Sequence, residues 1–117
     1  MKFKFEKLTI WQNAMEFGEN IPHLVLKFPN YEMFGLSSQS RKASDSIALN
    51  IAEGSIDQSN LEQKRFMSYS IRSLAEVVTC LHKAKRRNYI TEEEFRLRYE
   101  EAFNLMNMMV SFKRNIK

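Results

Sequence analysis

Chain-breaking residues are scarce: in 117 residues the only glycines and prolines are Gly18, Gly35, Gly54, Pro22 and Pro29. An all-β domain needs a turn signal roughly every 8–12 residues, and five breakers cannot supply them. Long helices meet no such obstacle, so the fold class is all-α. Two Ser/Thr-x-x-Glu boxes then mark helix starts, because a cap hydroxyl and a carboxylate three residues on can satisfy free N–H groups reciprocally. They are Ser59-Asn60-Leu61-Glu62 and Thr91-Glu92-Glu93-Glu94. The second also places three carboxylates in a first turn, where the helix dipole favours negative charge. Ser37 is the predicted cap of a helix that ends at Glu53-Gly54, and Phe28-Pro29-Asn30-Tyr31 breaks the chain before it. Four helices are predicted, near 7–27, 37–53, 60–87 and 92–115, with Pro22 kinking or dividing the first. Their short connections imply an antiparallel up-and-down four-helix bundle, one domain spanning 1–117.

Composition excludes several classes. With 44% apolar and 27% charged residues the chain is globular, and no apolar run approaches the roughly 18 residues a membrane span requires. Lys2, Lys4, Glu6 and Lys7 interrupt the N-terminal apolar residues, which is unlike a secretory signal, so a cytoplasmic location is expected. Cys80 is the only cysteine, so no intrachain disulfide forms.

The net charge of +4 is unevenly placed. Residues 59–90 hold seven cations against two carboxylates, a net +5, while the remainder of the chain is −1. On a helical wheel Phe66, Met67, Ser70, Ile71, Leu74, Val77, Val78, Leu81 and Ala84 form the core side of the third helix. Opposite them, Lys64, Arg65, Arg72, Lys83, Arg86 and Arg87 fall within an arc of about 140°, interrupted by Glu76. Such a stripe suits phosphates, whose neutralisation releases counterions; it also suits simple solvation. In the fourth helix Phe95, Tyr99, Ala102, Phe103, Leu105, Met106, Met109, Val110 and Phe112 cover more than one stripe. Either two bundle neighbours absorb this breadth or a subunit interface does, with Met106, Met108 and Met109 as its adaptable part.

On the second helix Leu36, Ser40, Ala43, Ile47 and Ile51 share a face, edged by Gln39, Ser46 and Asn50. Small residues there allow close backbone approach, and the polar edge reads as a paired seam. Glu53 opposes the helix dipole in a last turn, so a cationic partner such as an Arg is expected. Catalytic constellations are missing: His23 and His82 stand alone, Cys80 follows apolar residues, and no Glu-x-x-His pair or phosphate-cradling glycine loop occurs. Glu92, Glu93 and Glu94 could attract a divalent cation, but a helix start accounts for them. The expectation is a non-enzyme with no cofactor and no metal.

The stretch Gly35-Leu36-x-x-Gln39-x-Arg41-Lys42-Ala43-x-x-Ser46-Ile47-x-x-Asn50-Ile51-Ala52-Glu53-Gly54 resembles the signature of the four-helix bundle proteins encoded in intervening sequences of bacterial 23S ribosomal RNA genes. Phe5-x-x-Leu8-x-x-Trp11-x-x-Ala14, Phe28-Pro29-x-x-Glu32 and Ser73-Leu74-x-Glu76 extend the likeness over nearly the whole chain. Lys42 departs from it, standing where a second Arg is usual, which weakens any bidentate contact at that point. The resemblance implies ring-shaped homo-oligomers, with pentamers expected, and no enzymatic activity. It also implies structural roles for Gln39, Arg41, Asn50, Glu53 and Glu76, with Arg41 and Glu53 joining helices or subunits through buried charge-assisted bonds. A related branch serves as accessory subunit to reverse transcriptases of diversity-generating retroelements. The leading expectation is therefore a ring that presents Lys64, Arg65, Arg72, Lys83, Arg86 and Arg87 to RNA or DNA. The alternative is a scaffold that docks a partner protein.

Overall fold

Thr91 opens a helix as its sequence context requires. Its Oγ1 accepts the Glu94 N–H at 3.1 Å, and Glu94 Oε1 accepts the Thr91 N–H at 2.8 Å. At Ser59 only half of the box forms: Ser59 Oγ accepts the Glu62 N–H at 3.2 Å, while the Glu62 carboxylate turns to Arg65. In the computed structural model, which describes residues 1–117, four helices result. They are α1 (Thr9–Val25), α2 (Leu36–Gly54), α3 (Asn60–Arg86) and α4 (Glu92–Arg114), with 3₁₀ turns at Lys4–Lys7 and Asn30–Glu32. No strand is present.

The predicted boundaries shift where local chemistry intervenes. The first helix begins at Thr9 because Lys4–Lys7 forms a separate 3₁₀ turn that packs Phe5 on Trp11, ring centroids 5.3 Å apart. Pro22 does not divide α1, which runs three residues past it before Pro29 forces the chain into extended backbone. Ser37 is not the cap of α2. It lies buried inside the helix, and the Glu32 carboxylate accepts the Leu36 N–H at 3.1 Å. At its far end α3 closes in a Schellman motif: Asn88 adopts a left-handed φ of 62°, the Tyr89 N–H reaches Ala84 O and the Asn88 N–H reaches Lys85 O.

Cross-helix contacts fix the directions. Lys27 meets Glu94, Asn20 meets Glu101 and Asn13 meets Met108, so α1 rises as α4 falls. Ser46 meets Ser73, and the Ser70 hydroxyl donates to Ile47 O at 2.7 Å, which sets α2 against α3 in the same antiparallel sense. His82 meets Phe95, and Lys85 meets Glu92, on the α3 and α4 pair. Each helix touches its chain neighbours and α1 closes on α4, giving an up-and-down bundle of 43 × 26 × 23 Å. Ile10, Ala14, Phe17, Ile21, Leu24, Ile47, Ile51, Leu74, Val77, Leu105 and Met109 fill its centre.

The α2 and α3 seam is built from small residues, with Ser40, Ala43 and Ser70 all buried. Gly54 ends it against Phe66, where an added Cβ would lie 2.7 Å from the Phe66 Cβ. At Gly18, facing Ser44 O from α1, an added Cβ would sit at an ordinary 3.5 Å. Gly54→Ala should therefore destabilise the fold by about 1–3 kcal/mol through overpacking. Gly18→Ala should stabilise it by about 0.5–1 kcal/mol through helix propensity. Urea unfolding of both variants checks the contrast.

Candidate nucleic-acid interface

Helix α3 has 27 residues, and its outer face carries the cations that the sequence groups together. Lys64 and Arg86 lie about 33 Å apart along the axis, at roughly 1.5 Å per residue. Lys83 and Arg86 are exposed and pair with no carboxylate of the chain. Lys64 is half-buried and also unpaired. Arg72 projects with its guanidinium 5.8 Å from the centre of the Tyr69 ring. Arg65 lies 3.6 Å from Glu62, an exposed contact that adds little to stability and leaves the guanidinium free to exchange. Lys85 points away from the face toward α4, where it pairs with Glu92 at 2.8 Å and lies over the Phe95 ring.

Arg87 does not belong with this group. Its Nη1 donates to Glu32 Oε2 at 2.7 Å, and the Tyr89 hydroxyl donates to the same oxygen at 2.7 Å. The other carboxylate oxygen holds the Leu36 N–H. The Tyr89 hydroxyl also lies 3.0 Å from the Tyr31 hydroxyl, so its one proton serves either Glu32 or Tyr31. Bonds from Tyr89 and the Leu36 N–H, aided by Arg87, hold the Glu32 carboxyl below the usual carboxylate range. The Tyr31 hydroxyl, burial and the Glu32 carboxylate together raise the Tyr89 phenol above its ordinary value. Glu32 thus binds the α1–α2 loop, the first turn of α2 and the end of α3 at one point. Sequence reasoning missed this tie because its members lie 55 and 57 positions from Glu32 and no local spacing connects them.

The signature residues face outward. Gln39, Arg41, Glu53 and Glu76 are exposed, and none of the chain's ion pairs includes Arg41 or Glu53. The expected buried junction between helices is not formed: Arg41 and Glu53 are twelve residues apart, about 18 Å along one helix, and neither meets an opposite charge on α1 or α3. Asn50 alone is half-buried, and its amide donates to Ser46 O at 2.8 Å.

The broad apolar surface of α4 divides. Phe95, Ala102, Leu105 and Met109 are buried, whereas Tyr99, Phe103 and Val110 are exposed. With Ala75 and Val78 of α3, Tyr99, Ala102, Phe103 and Met106 line a wholly apolar groove of about 240 Å³. Burial pushes the Cys80 thiol up. Glu92 and Glu94 are held below their ordinary values, by Lys85 and by Lys27 respectively. No three His, Cys, Asp or Glu side chains gather as a metal site, and no helix is long and apolar enough to cross a membrane.

Fold and surface together define an all-α, up-and-down bundle with one helix presenting an open row of cations. Residues 6–111 match the family model of the 23S rRNA-intervening sequence protein, and the chain belongs to that family. Among solved structures, a protein of unknown function from the S23 ribosomal protein family of Bacteroides thetaiotaomicron VPI-5482, determined at 1.70 Å, superposes with a TM-score of 0.84. The two share 21% identity over 92% of this chain and 100% of that one, a likeness of fold. No curated protein matches. Neither the family description nor the solved neighbour names an enzymatic activity.

Because the folded carboxyl of Glu32 lies below its ordinary value of 4.5, its ionised form stabilises the fold. That contribution is complete above about pH 4.5 and is lost as the pH falls through the lower folded value. Glu32→Gln should lower the unfolding temperature at neutral pH, and the gap from wild type should close in acid. Differential scanning calorimetry across pH measures this, and a gap independent of pH would contradict it.

Proposed function

We propose that the protein is a non-enzymatic, ring-forming homo-oligomer that binds RNA or DNA through the outer face of α3. The observation that carries this is the row of cations Lys64, Arg72, Lys83 and Arg86, none of them neutralised by a carboxylate of the chain. Lys27, Lys85, Arg87 and Arg98 each pair with a carboxylate, and unpaired cations also occur elsewhere, but residues 59–90 concentrate a net +5 against −1 for the rest of the chain. A helix that gathers unpaired cations along one outer face suits an external polyanion. The apolar groove between α3 and α4 suits a second subunit, and repetition around a ring would multiply a weak site into avid binding.

The same groove favours a second reading, a scaffold whose ligand is a partner polypeptide. Under that reading Phe103→Glu abolishes partner binding while charge reversal on α3 has no effect.

Affinity for duplex DNA should fall linearly with the logarithm of salt concentration. The combined variant Lys64→Glu, Arg72→Glu, Lys83→Glu should bind at least tenfold more weakly and shed about 2–3 from the salt slope, at roughly 0.9 per phosphate contact. Fluorescence anisotropy over a salt series measures both. A salt-insensitive complex, or a triple variant that binds like wild type, would exclude the proposal.

A further inference from the structure

The α1–α2 loop exposes four large apolar side chains within nine residues: Leu26, Tyr31, Met33 and Phe34. Phe34 is 94% exposed and Tyr31 79%, and Phe34 stacks on no other ring of the chain. Such a cluster on a surface calls for an occupant. The loop that carries it is well braced. Backbone bonds Glu32 N–H to Pro29 O, Met33 N–H to Asn30 O and Gly35 N–H to Glu32 O close it on itself. The Glu32 carboxylate then fastens it to Arg87 and Tyr89, and the Tyr31 hydroxyl is held by Tyr89 with the rings edge to face.

Lys83 and Arg86 stand at the same end of the bundle, because antiparallel packing brings the last turns of α3 level with the start of α2. Neither has an acidic partner. The carboxylates of this end are largely neutralised: Glu32 by Arg87, Glu92 by Lys85 and Glu94 by Lys27, with Glu93 left unpaired. Open aromatic faces held on a braced loop, at the same end of the bundle as free cations, match one ligand chemistry. Unpaired nucleotides offer flat bases for the rings and phosphates for the cations, whereas a base-paired duplex keeps its bases stacked inside.

We infer that the α1–α2 loop is a stacking platform for unpaired bases, with Phe34 and Tyr31 as its rings and Lys83 and Arg86 as its phosphate contacts. The platform rests on the nucleic-acid reading of α3 and names the form of nucleic acid preferred, a single strand or an unpaired loop. A braced loop loses little freedom on binding, so the rings are ready for the ligand.

The test uses the full chain with short fluorescein-labelled oligo(dT) and the matching oligo(dT)·oligo(dA) duplex. Phe34→Ala and Tyr31→Ala should each weaken oligo(dT) binding by about 5- to 100-fold, the range that loss of one stacked base produces, and leave duplex binding unchanged. Phe34→Tyr should restore single-strand binding. Near-complete exposure of Phe34 means that its removal leaves the fold intact, which circular dichroism verifies. If Phe34→Ala binds oligo(dT) like wild type while the salt-dependent affinity persists, the platform is wrong and the α3 reading stands. If the wild-type chain binds neither probe, both fall. Equal weakening on both probes, or a change in mass by light scattering, would make the loop a subunit interface and overturn the proposal.

Discussion

The Glu32 carboxylate fixes one end of this bundle. It accepts hydrogen bonds from the Leu36 N–H, the Arg87 guanidinium and the Tyr89 hydroxyl, so three segments distant in the chain meet at two oxygens. A carboxylate with so little access to water is costly unless its lone pairs are filled, and here charged and neutral donors fill them. The start of α2, the Schellman turn that ends α3 and the braced loop between α1 and α2 all converge on this point. Through it, one cation of α3 becomes part of the architecture.

The remaining cations of α3 stay outside for a complementary reason. Ser40, Ala43 and Ser70 let α2 and α3 approach closely, with the Ser40 hydroxyl donating within its own helix to Leu36 O and the Ser70 hydroxyl donating across the seam to Ile47 O. That contact fixes the rotation of α3 about its own axis. Leu74, Val77 and Leu81 then point inward, and Arg72, Lys83 and Arg86 point to solvent on the far side, with Lys64 half-buried at the row's beginning. On the flank toward α4, Ala75 and Val78 are too small to cover Tyr99, Phe103 and Met106, which leaves the apolar groove open. One helix thus presents a polar and an apolar surface side by side.

Much of the fold is legible in the sequence because it rests on local chemistry. Thr91 with Glu94, Ser59 with Glu62, and the scarcity of glycine and proline mark the later helices to within a residue or two. The start of α2 is not legible in this way, since its capping oxygen comes from Glu32 in the preceding turn and not from Ser37. Nor is the tie from Arg87 to Glu32, which only tertiary packing creates. The wheel groups Arg87 with Arg86 because it records direction from one helix axis, not what a loop from elsewhere places beside it. Arg41 and Glu53 are the opposite case. The resemblance implies buried bonds from them to other helices or subunits, yet their outward direction leaves both exposed on the single chain.

The central claim is a division of labour between adjacent arginines, with Arg87 holding the fold and Arg86 facing a phosphate ligand. Measuring unfolding temperature and duplex-DNA affinity in parallel for Arg86→Gln and Arg87→Gln tests it most directly. The account predicts that Arg87→Gln lowers the unfolding temperature with little change in affinity, and that Arg86→Gln weakens binding at unchanged stability. Equal effects of the two substitutions on both quantities, or the reverse assignment, would contradict it.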